Sequence, residues 1–448
     1  MSDYLRRFGH FQRNARLYLL SNALSGTSAG IFLLLYNLYL TSLGYQADFV
    51  GATLFVGTLG AGLAIFPAGL VIDRWSGKWV LILSNVAIGL GGIGTVLVRQ
   101  PAPLLACAFV TGVAAAFTLV INAPFLTRNS VPAERPHLFS LNIFLALITA
   151  VLGEVFGGTL PTWFQHNPRW MAVLPSSLNW FLASQPEPRA YQLALLSAGL
   201  LTLPSFIPLF LLSNDRPTPS AAHLHPVLGP QTWPWRDWLS TAKRRAQPAY
   251  VRAFLRTPFF ALVLVQIFTG LGAGLVVPYF SLFFVRHLHA QPALFGLIDG
   301  AANGLIALTS LLAPWLANRL GRVNSIALTR LCSLPLLLAI GLTTSLSLAV
   351  GLYPLRAGTM DMSAGVLQVF SMEAVPEEHR GLANSAYQVA FQIPWALTSS
   401  LGGLLIVHAG YSPLFVVTAI CYLASIVTLW GRFGIRKNSG GMQELPVS

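Results

Sequence analysis

Apolar stretches of about twenty residues or more recur from one end of the chain to the other, separated by short polar turns. Crossing the hydrocarbon of a bilayer as a helix takes about 20 such residues. Twelve stretches meet that requirement, near 17–43, 49–72, 79–98, 103–127, 138–161, 190–213, 258–285, 293–317, 324–345, 347–374, 382–408 and 412–432. Many are interrupted by Gly or Pro, which bilayer helices tolerate where neighbouring helices or a wet cavity satisfy the freed backbone groups. The run that follows Arg6, Arg7, Arg13 and Arg16 continues to about Leu43 without a small-residue cleavage site. It is therefore expected to stay as the first span rather than to act as a removable leader. The pattern predicts an all-α integral membrane protein of twelve transmembrane helices.

Composition agrees. Of the 448 residues, 54% are hydrophobic and 9% charged, against about 25% charged in an ordinary soluble domain, so lipid is the solvent for most of the surface. The net charge of +13 would suit nucleic acid, but its distribution gives a different reason for it. Of the 27 Lys and Arg, 22 fall in alternate loops and the tails. Arg99, Arg169, Arg189 and Arg286 lie on the other side, and Arg356 lies within a span. The positive-inside rule then places both termini in the cytoplasm of a cell whose plasma (inner) membrane holds the protein, and no nucleic-acid partner is required. Cys107, Cys332 and Cys421 all lie in apolar segments, which argues against a disulfide framework or a metal cluster. Two loops are long. The inner one, 214–257, combines Trp233, Trp235 and Trp238 with Lys243, Arg244 and Arg245, a mix suited either to an anionic leaflet or to a linker. The outer one, 162–189, carries Trp163, Trp170 and Trp180 and is expected at headgroup level.

Sliding the chain on itself by 244 to 245 residues brings several signals into register. Asn22, Ser25 and Gly26 meet Gln266, Thr269 and Gly270; Gly51 meets Gly296; Asp73-Arg74 meets Asn318-Arg319. Val131-Pro132 with Glu134 meets Val375-Pro376 with Glu378, and Gly157-Gly158 meets Gly402-Gly403. The expected organisation is a six-helix bundle over 1–213, a cytoplasmic linker over 214–257, and a second six-helix bundle with its tail over 258–448. Six spans return the chain to the same side, so the two bundles are parallel repeats.

The stretch Gly69-Leu70-Val71-Ile72-Asp73-Arg74-Trp75-Ser76-Gly77-Lys78 resembles the signature loop between the second and third helices of the major facilitator superfamily, as does Ala317-Asn318-Arg319-Leu320-Gly321-Arg322 in the second half. With the twelve spans and the repeat, the resemblance covers nearly the whole chain. It implies a cytoplasmic latch formed by Asp73, Arg74, Lys78, Asn318, Arg319 and Arg322. Gly153-Glu154-Val155-Phe156-Gly157-Gly158 is similar to the Gly-Pro-x-x-Gly-Gly element of the antiporter branch, with Glu154 where that element carries proline.

Four ionisable residues fall well inside the predicted spans: Glu154, Asp299, Arg356 and Asp361. A charge at mid-membrane costs about 2.5–3.5 kcal/mol on insertion scales, so each is a candidate for coupling or gating. Arg356 is expected to pair across helices with Asp299 or Glu154, because Asp361 projects about 140° away from it on the same helix. A carboxylate in an apolar cavity can also exchange protons, which makes protons a candidate partner beside the solute. Polar residues on the spans expected to line a cavity add Asn22, Ser25, Asn37, Gln266, Thr269, Gln388, Gln392 and Trp395 as substrate contacts.

The leading expectation is a monomeric secondary transporter working by alternating access, neither an enzyme nor a holder of cofactor or metal. No Gly-x-x-x-x-Gly-Lys-Ser/Thr loop is present to use ATP. Few cavity charges, 11% aromatic residues and the partial antiporter element point to proton-coupled efflux of amphipathic or drug-like compounds. The amides favour the alternative, a sugar or metabolite uptake permease. An intramembrane lipid-modifying enzyme is the distant alternative, opposed by the absence of a His-Glu-x-x-His motif.

Overall fold

The computed structural model describes residues 11–131, 134–172, 181–213, 257–375 and 380–434. Every regular element among them is helical. In the first half these are α1 (Arg13–Ser42), α2 (Ala47–Arg74), α3 (Gly77–Leu97), α4 (Pro101–Arg128), α5 (Arg135–His166) and α6 (Pro186–Phe210). The second half holds α7 (Pro258–Val276), α8 (Pro292–Leu320), α9 (Arg322–Leu342), α10 (Leu346–Asp361), α11 (Ala364–Glu373), α12 (Arg380–Ala409) and α13 (Tyr411–Phe433). Proline opens α4, α6, α7 and α8, where its missing N–H has no helical partner to lose. The single residue between α8 and α9 is Gly321 at φ +84°, a left-handed turn that other residues enter only with strain.

Eleven of the helices are long and apolar enough to cross a membrane. The twelfth crossing, expected as one helix over 347–374, is instead α10 and α11 in succession. At about 1.5 Å per residue, the 16 residues of α10 fall short of a bilayer core. The break has local causes. Met362 N–H still bonds to the Gly358 carbonyl at 3.1 Å, Leu367 N–H restarts the ladder on Ser363, and the Ser363 hydroxyl accepts a 3.1 Å bond from Thr329. Asp361 and Ser363 are residue types whose short polar side chains favour helix ends over interiors.

Contacts group the chain into two compact units. The first holds the described residues within Met1–Val227 together with Pro278–Gly300 and Ser399–His408; the second holds those within Leu228–Val277, Ala301–Thr398 and Ala409–Ser448. In the first unit α1 packs on α5 and α6, α2 on α4, and α3 on α4 and α6; in the second, α7 packs on α13, and α9 on α10 and α13. Three of these pairings repeat: α1 with α6 matches α7 with α13, α3 with α4 matches α9 with α10, and α3 with α6 matches α9 with α13. A buried cluster including Tyr18, Phe125, Leu138 and Leu209 forms one core, and Leu262, Val265, Ile326 and Leu429 anchor another. Outward, Leu33, Leu90 and Leu311 remain more than three-fifths exposed, as lipid-facing side chains are.

Candidate functional site

At the end of the first unit remote from Arg13, two seams of glycine bring helices into backbone contact. In one, a Cβ on Gly51 of α2 would meet the Ser399 carbonyl at 2.6 Å and the Tyr279 hydroxyl at 2.5 Å, and one on Gly403 would press on the Ala47 carbonyl. In the other, a Cβ on Gly296 of α8 would press on the Glu154 carbonyl and meet Leu34 at 3.3 Å, and one on Gly158 of α5 would meet the Pro292 carbonyl at 2.6 Å. Each residue of one seam lies 245 positions from its counterpart in the other: Gly51 and Gly296, Ser399 and Glu154, Tyr279 and Leu34, Gly403 and Gly158, Ala47 and Pro292. The matched glycines found in the sequence are therefore those that allow the backbones to touch. Chemistry breaks the symmetry where Glu154, 3% exposed, stands in the place of Ser399, and Leu34 in that of Tyr279.

Beside the seams, α7 loses regular geometry in a 3₁₀ turn at Val277–Tyr279 and a π-turn at Phe283–His287. The carbonyl of Pro278 leaves the helical ladder and accepts a 2.8 Å bond from Asn37 Nδ2, while Tyr279 donates to the Ser399 carbonyl. Asn37, expected as a substrate contact, thus ties α1 to this irregular segment. Arg286 pairs with Glu187 at 2.8 Å and donates to the Thr41 hydroxyl at 3.2 Å. Arg286 and Thr41 are themselves 245 apart, and a residue meets its own repeat mate where a local two-fold passes. At the turn after α1, Tyr45 donates to the Arg99 carbonyl at 2.6 Å, and burial raises its pKa, so the phenol stays a donor at neutral pH.

Deeper in the first unit, Asn22 of α1 donates to Asn142 of α5 at 2.7 Å, and Asn142 donates to Asn122 of α4 at 3.4 Å. Ser25 donates back to the Asn22 carbonyl at 3.2 Å. Asn122 and Asn142 escaped the sequence reading. Their signal was an amide in an apolar run, as for Asn22, without a repeat match to single them out.

The second unit carries charge. Arg356, 5% exposed, donates to the Tyr422 hydroxyl at 3.3 Å and lies 5.8 Å from that ring's centre. Asp361 is exposed at the last residue of α10, and Asp299 is half-buried on α8 in the first unit. One expectation needs correction: Arg330, counted among the inner-loop basic residues, lies well within α9 and is 6% exposed. It is a fifth intramembrane charge beside Glu154, Asp299, Arg356 and Asp361. Its NH1 donates to Thr269 Oγ1 at 3.4 Å, and Thr269 shares a 2.9 Å hydroxyl bond with Ser425. Of the other expected cavity residues, Gln266 and Trp395 are half-buried, and Gln388 and Gln392 are exposed one turn apart on α12.

Of the expected latch residues, Lys78, Arg319 and Arg322 have partners within their own units. Lys78 donates to the Phe210 carbonyl at 2.8 Å and the Leu212 carbonyl at 2.7 Å, closing the carboxyl end of α6. Arg322 pairs with Glu373 at the foot of α11, Arg319 stacks 4.5 Å above Trp315, and Asn318 and Arg322 line a groove of about 430 Å³ with Met362 and Val366. The side chains of Asp73 and Arg74, the tryptophans and basic residues of 214–256, and Trp180 lie outside the described residues. From the first turn of α6, Arg189 donates to the carbonyls of Ala183, Ala172 and Ser184 in the preceding loop at 2.7–2.8 Å.

Comparison with known proteins matches the geometry. The family model described as Major Facilitator Superfamily matches residues 18–265 and 262–444. Sugar efflux transporter B of Salmonella typhimurium is 24% identical over 148 residues, a stretch that spans 33% of this chain and 37% of that relative. Solved structures show the same fold at low identity. The nucleoside transporter NupG superposes with a TM-score of 0.67 at 14% identity, covering 95% of this chain and 100% of that one. A bacterial homologue of the iron transporter ferroportin in an inward-facing state gives 0.67 at 16%, covering 94% and 98%. The D-xylose-proton symporter gives 0.66 at 13%, covering 93% and 97%.

Proposed function

The chain belongs to the major facilitator superfamily, and from that membership we propose that it exports a small hydroxylated solute of the sugar class by alternating access. The observation that carries the reading is the amide chain Asn22, Asn142 and Asn122. Amides both donate and accept, so such a chain can exchange its internal bonds for those of a polyol without leaving a buried group unpaired. A site built for hydroxyls also rejects solutes that lack them. The sugar named in the description of the matching relative agrees, as does its direction of transport.

In this reading the glycine seams are a gate. The positive-inside count puts the sealed end outside the cell, and the seams part when solute leaves. Glu154, buried in one seam, is placed to couple the gate to a proton, and Asp361 at the break of the tenth span is the second acid available for coupling. The two six-helix bundles, 1–213 and 258–448, are the moving bodies.

Counterflow in proteoliposomes tests the function. Vesicles loaded with unlabelled glucose, lactose or ribose should accumulate the labelled form of the transported sugar only when the protein is present. A full set of hexoses, disaccharides and pentoses giving no counterflow would end the sugar reading. An apolar groove of about 320 Å³ lined by Val71, Trp75, Leu83, Val113 and Phe117 favours a second reading, export of amphipathic compounds. Saturable efflux of a lipophilic cation without sugar counterflow would select it.

A further inference from the structure

A guanidinium does not discharge inside a protein, and burying one without an anion is strongly unfavourable. Arg330 is 6% exposed, yet the described residues offer it little. One long bond reaches the Thr269 hydroxyl at 3.4 Å, and its Nε has no hydrogen-bond partner among them. The acid whose charge acts on it is Asp361, which acts on Tyr422 as well.

Asp361 is itself exposed, at the final residue of α10. An exposed side chain at mid-membrane faces water rather than lipid, since lipid makes a bare carboxylate prohibitive. The acid that acts on the buried arginine therefore stands where a dissolved molecule reaches it. The helix break has a second effect. Three residues beyond Asp361 begins α11, a ten-residue helix whose amino end points positive dipole charge toward the same break. Interrupted helices are also where transporters of several folds place their ligands, because the freed backbone groups line a cavity. Arg356, bonded to the Tyr422 phenol at 3.3 Å, adds a further guanidinium.

We propose that Arg330, at the break between α10 and α11, binds an anionic group of the transported solute, a carboxylate or a phosphate, which takes the place of Asp361. The planar fork of arginine matches both groups through two parallel N–H bonds, and its Nε edge is the one left without a partner. The proposal rests on the sugar-class reading and narrows it to acidic sugars.

Binding is measured by titration calorimetry on the purified full-length protein with D-glucose, D-glucuronate, D-glucose 6-phosphate and inorganic phosphate. The wild type should bind at least one of the two acidic sugars about tenfold more tightly than glucose, the difference expected of one charge-assisted hydrogen bond. Which of the two wins separates carboxylate from phosphate recognition. Arg330→Gln should remove the preference. Asp361→Asn, which deletes the competing carboxylate, should tighten the acidic sugar several-fold. If Arg330→Gln does not fold, Arg330→Lys keeps the charge without the fork and should lose most of the preference, and Asp361→Asn still gives a gain to look for. Equal binding of glucose and both acids, or weaker acid binding in Asp361→Asn, overturns the anion site while the sugar reading stands. Inorganic phosphate binding lost in Arg330→Gln, with no sugar bound, keeps the anion site and overturns the sugar reading. No binding by any of the four overturns both.

Discussion

Replacing Gly158 or Gly403 by alanine should force the sealed end open. A methyl at 158 would sit 2.6 Å from the Pro292 carbonyl oxygen and 2.9 Å from the Ala293 Cα; one at 403 would press on the Ala47 carbonyl and lie 2.7 Å from its carbon. The obstructing atoms are backbone on rigid helices, so no rotamer change relieves them. Overpacking of this kind costs about 1–3 kcal/mol, borne by the sealed state alone, and every ~1.4 kcal/mol shifts the open-to-sealed ratio tenfold. The ratio should therefore rise between about fivefold and a hundredfold. The ion pair Arg286–Glu187 is one-third to one-half exposed and contributes at most about 1 kcal/mol. Arg286→Ala should accordingly shift the ratio less than either glycine variant. The assay is the labelling rate of Ala293→Cys by an impermeant maleimide, in a background lacking Cys107, Cys332 and Cys421. Gly199→Ala is the control, because a Cβ there meets nothing within 4 Å. Two results would refute the reasoning: labelling in Gly158→Ala no faster than in the control, or Gly403→Ala failing to mirror Gly158→Ala.

Three further outcomes are expected. Lys78→Met removes the two bonds that close α6 and should lower the melting temperature by about 2–4 °C, the shift for about 1 kcal/mol, while the labelling rate at Ala293→Cys stays as in the parent; a faster rate at unchanged stability would instead make Lys78 a latch. Asn142→Leu orphans the amides of Asn22 and Asn122, and sugar counterflow should fall by about tenfold or more in protein that still elutes as a single species; undiminished counterflow removes the amide chain from the solute path. Glu154→Gln should abolish the response of flux to an imposed proton gradient while leaving counterflow intact, and a fully retained response would take Glu154 out of coupling.

Several of these residues were visible in the sequence, and the reason differs for each. The glycines Gly51, Gly158, Gly296 and Gly403 stood out because two helices approaching backbone to backbone leave room for nothing larger, and the repeat imposed that demand twice. Glu154 and Asp361 stood out because lipid makes a charge conspicuous. Arg330 was missed because a basic residue near the predicted start of a span reads as a topology signal, and only packing shows whether it reaches the interface or turns inward. Arg286 was placed on the outer side but not paired with Glu187, since 99 residues separate them along the chain.

What the amino-acid order determined without help was the solvent and the symmetry. Twenty-residue apolar runs have no stable alternative to spanning helices in lipid, and a nearly constant offset of 244 to 245 residues between matched features requires a duplicated bundle. What the tertiary structure alone decided was which polar groups share a neighbourhood. Hydropathy places a residue at a depth but says nothing of its direction around the helix axis or of the helix it faces. For that reason the chain Asn22–Asn142–Asn122, the closure of α6 by Lys78, and the pairing of Arg330 with a broken tenth span emerged only when the helices were packed.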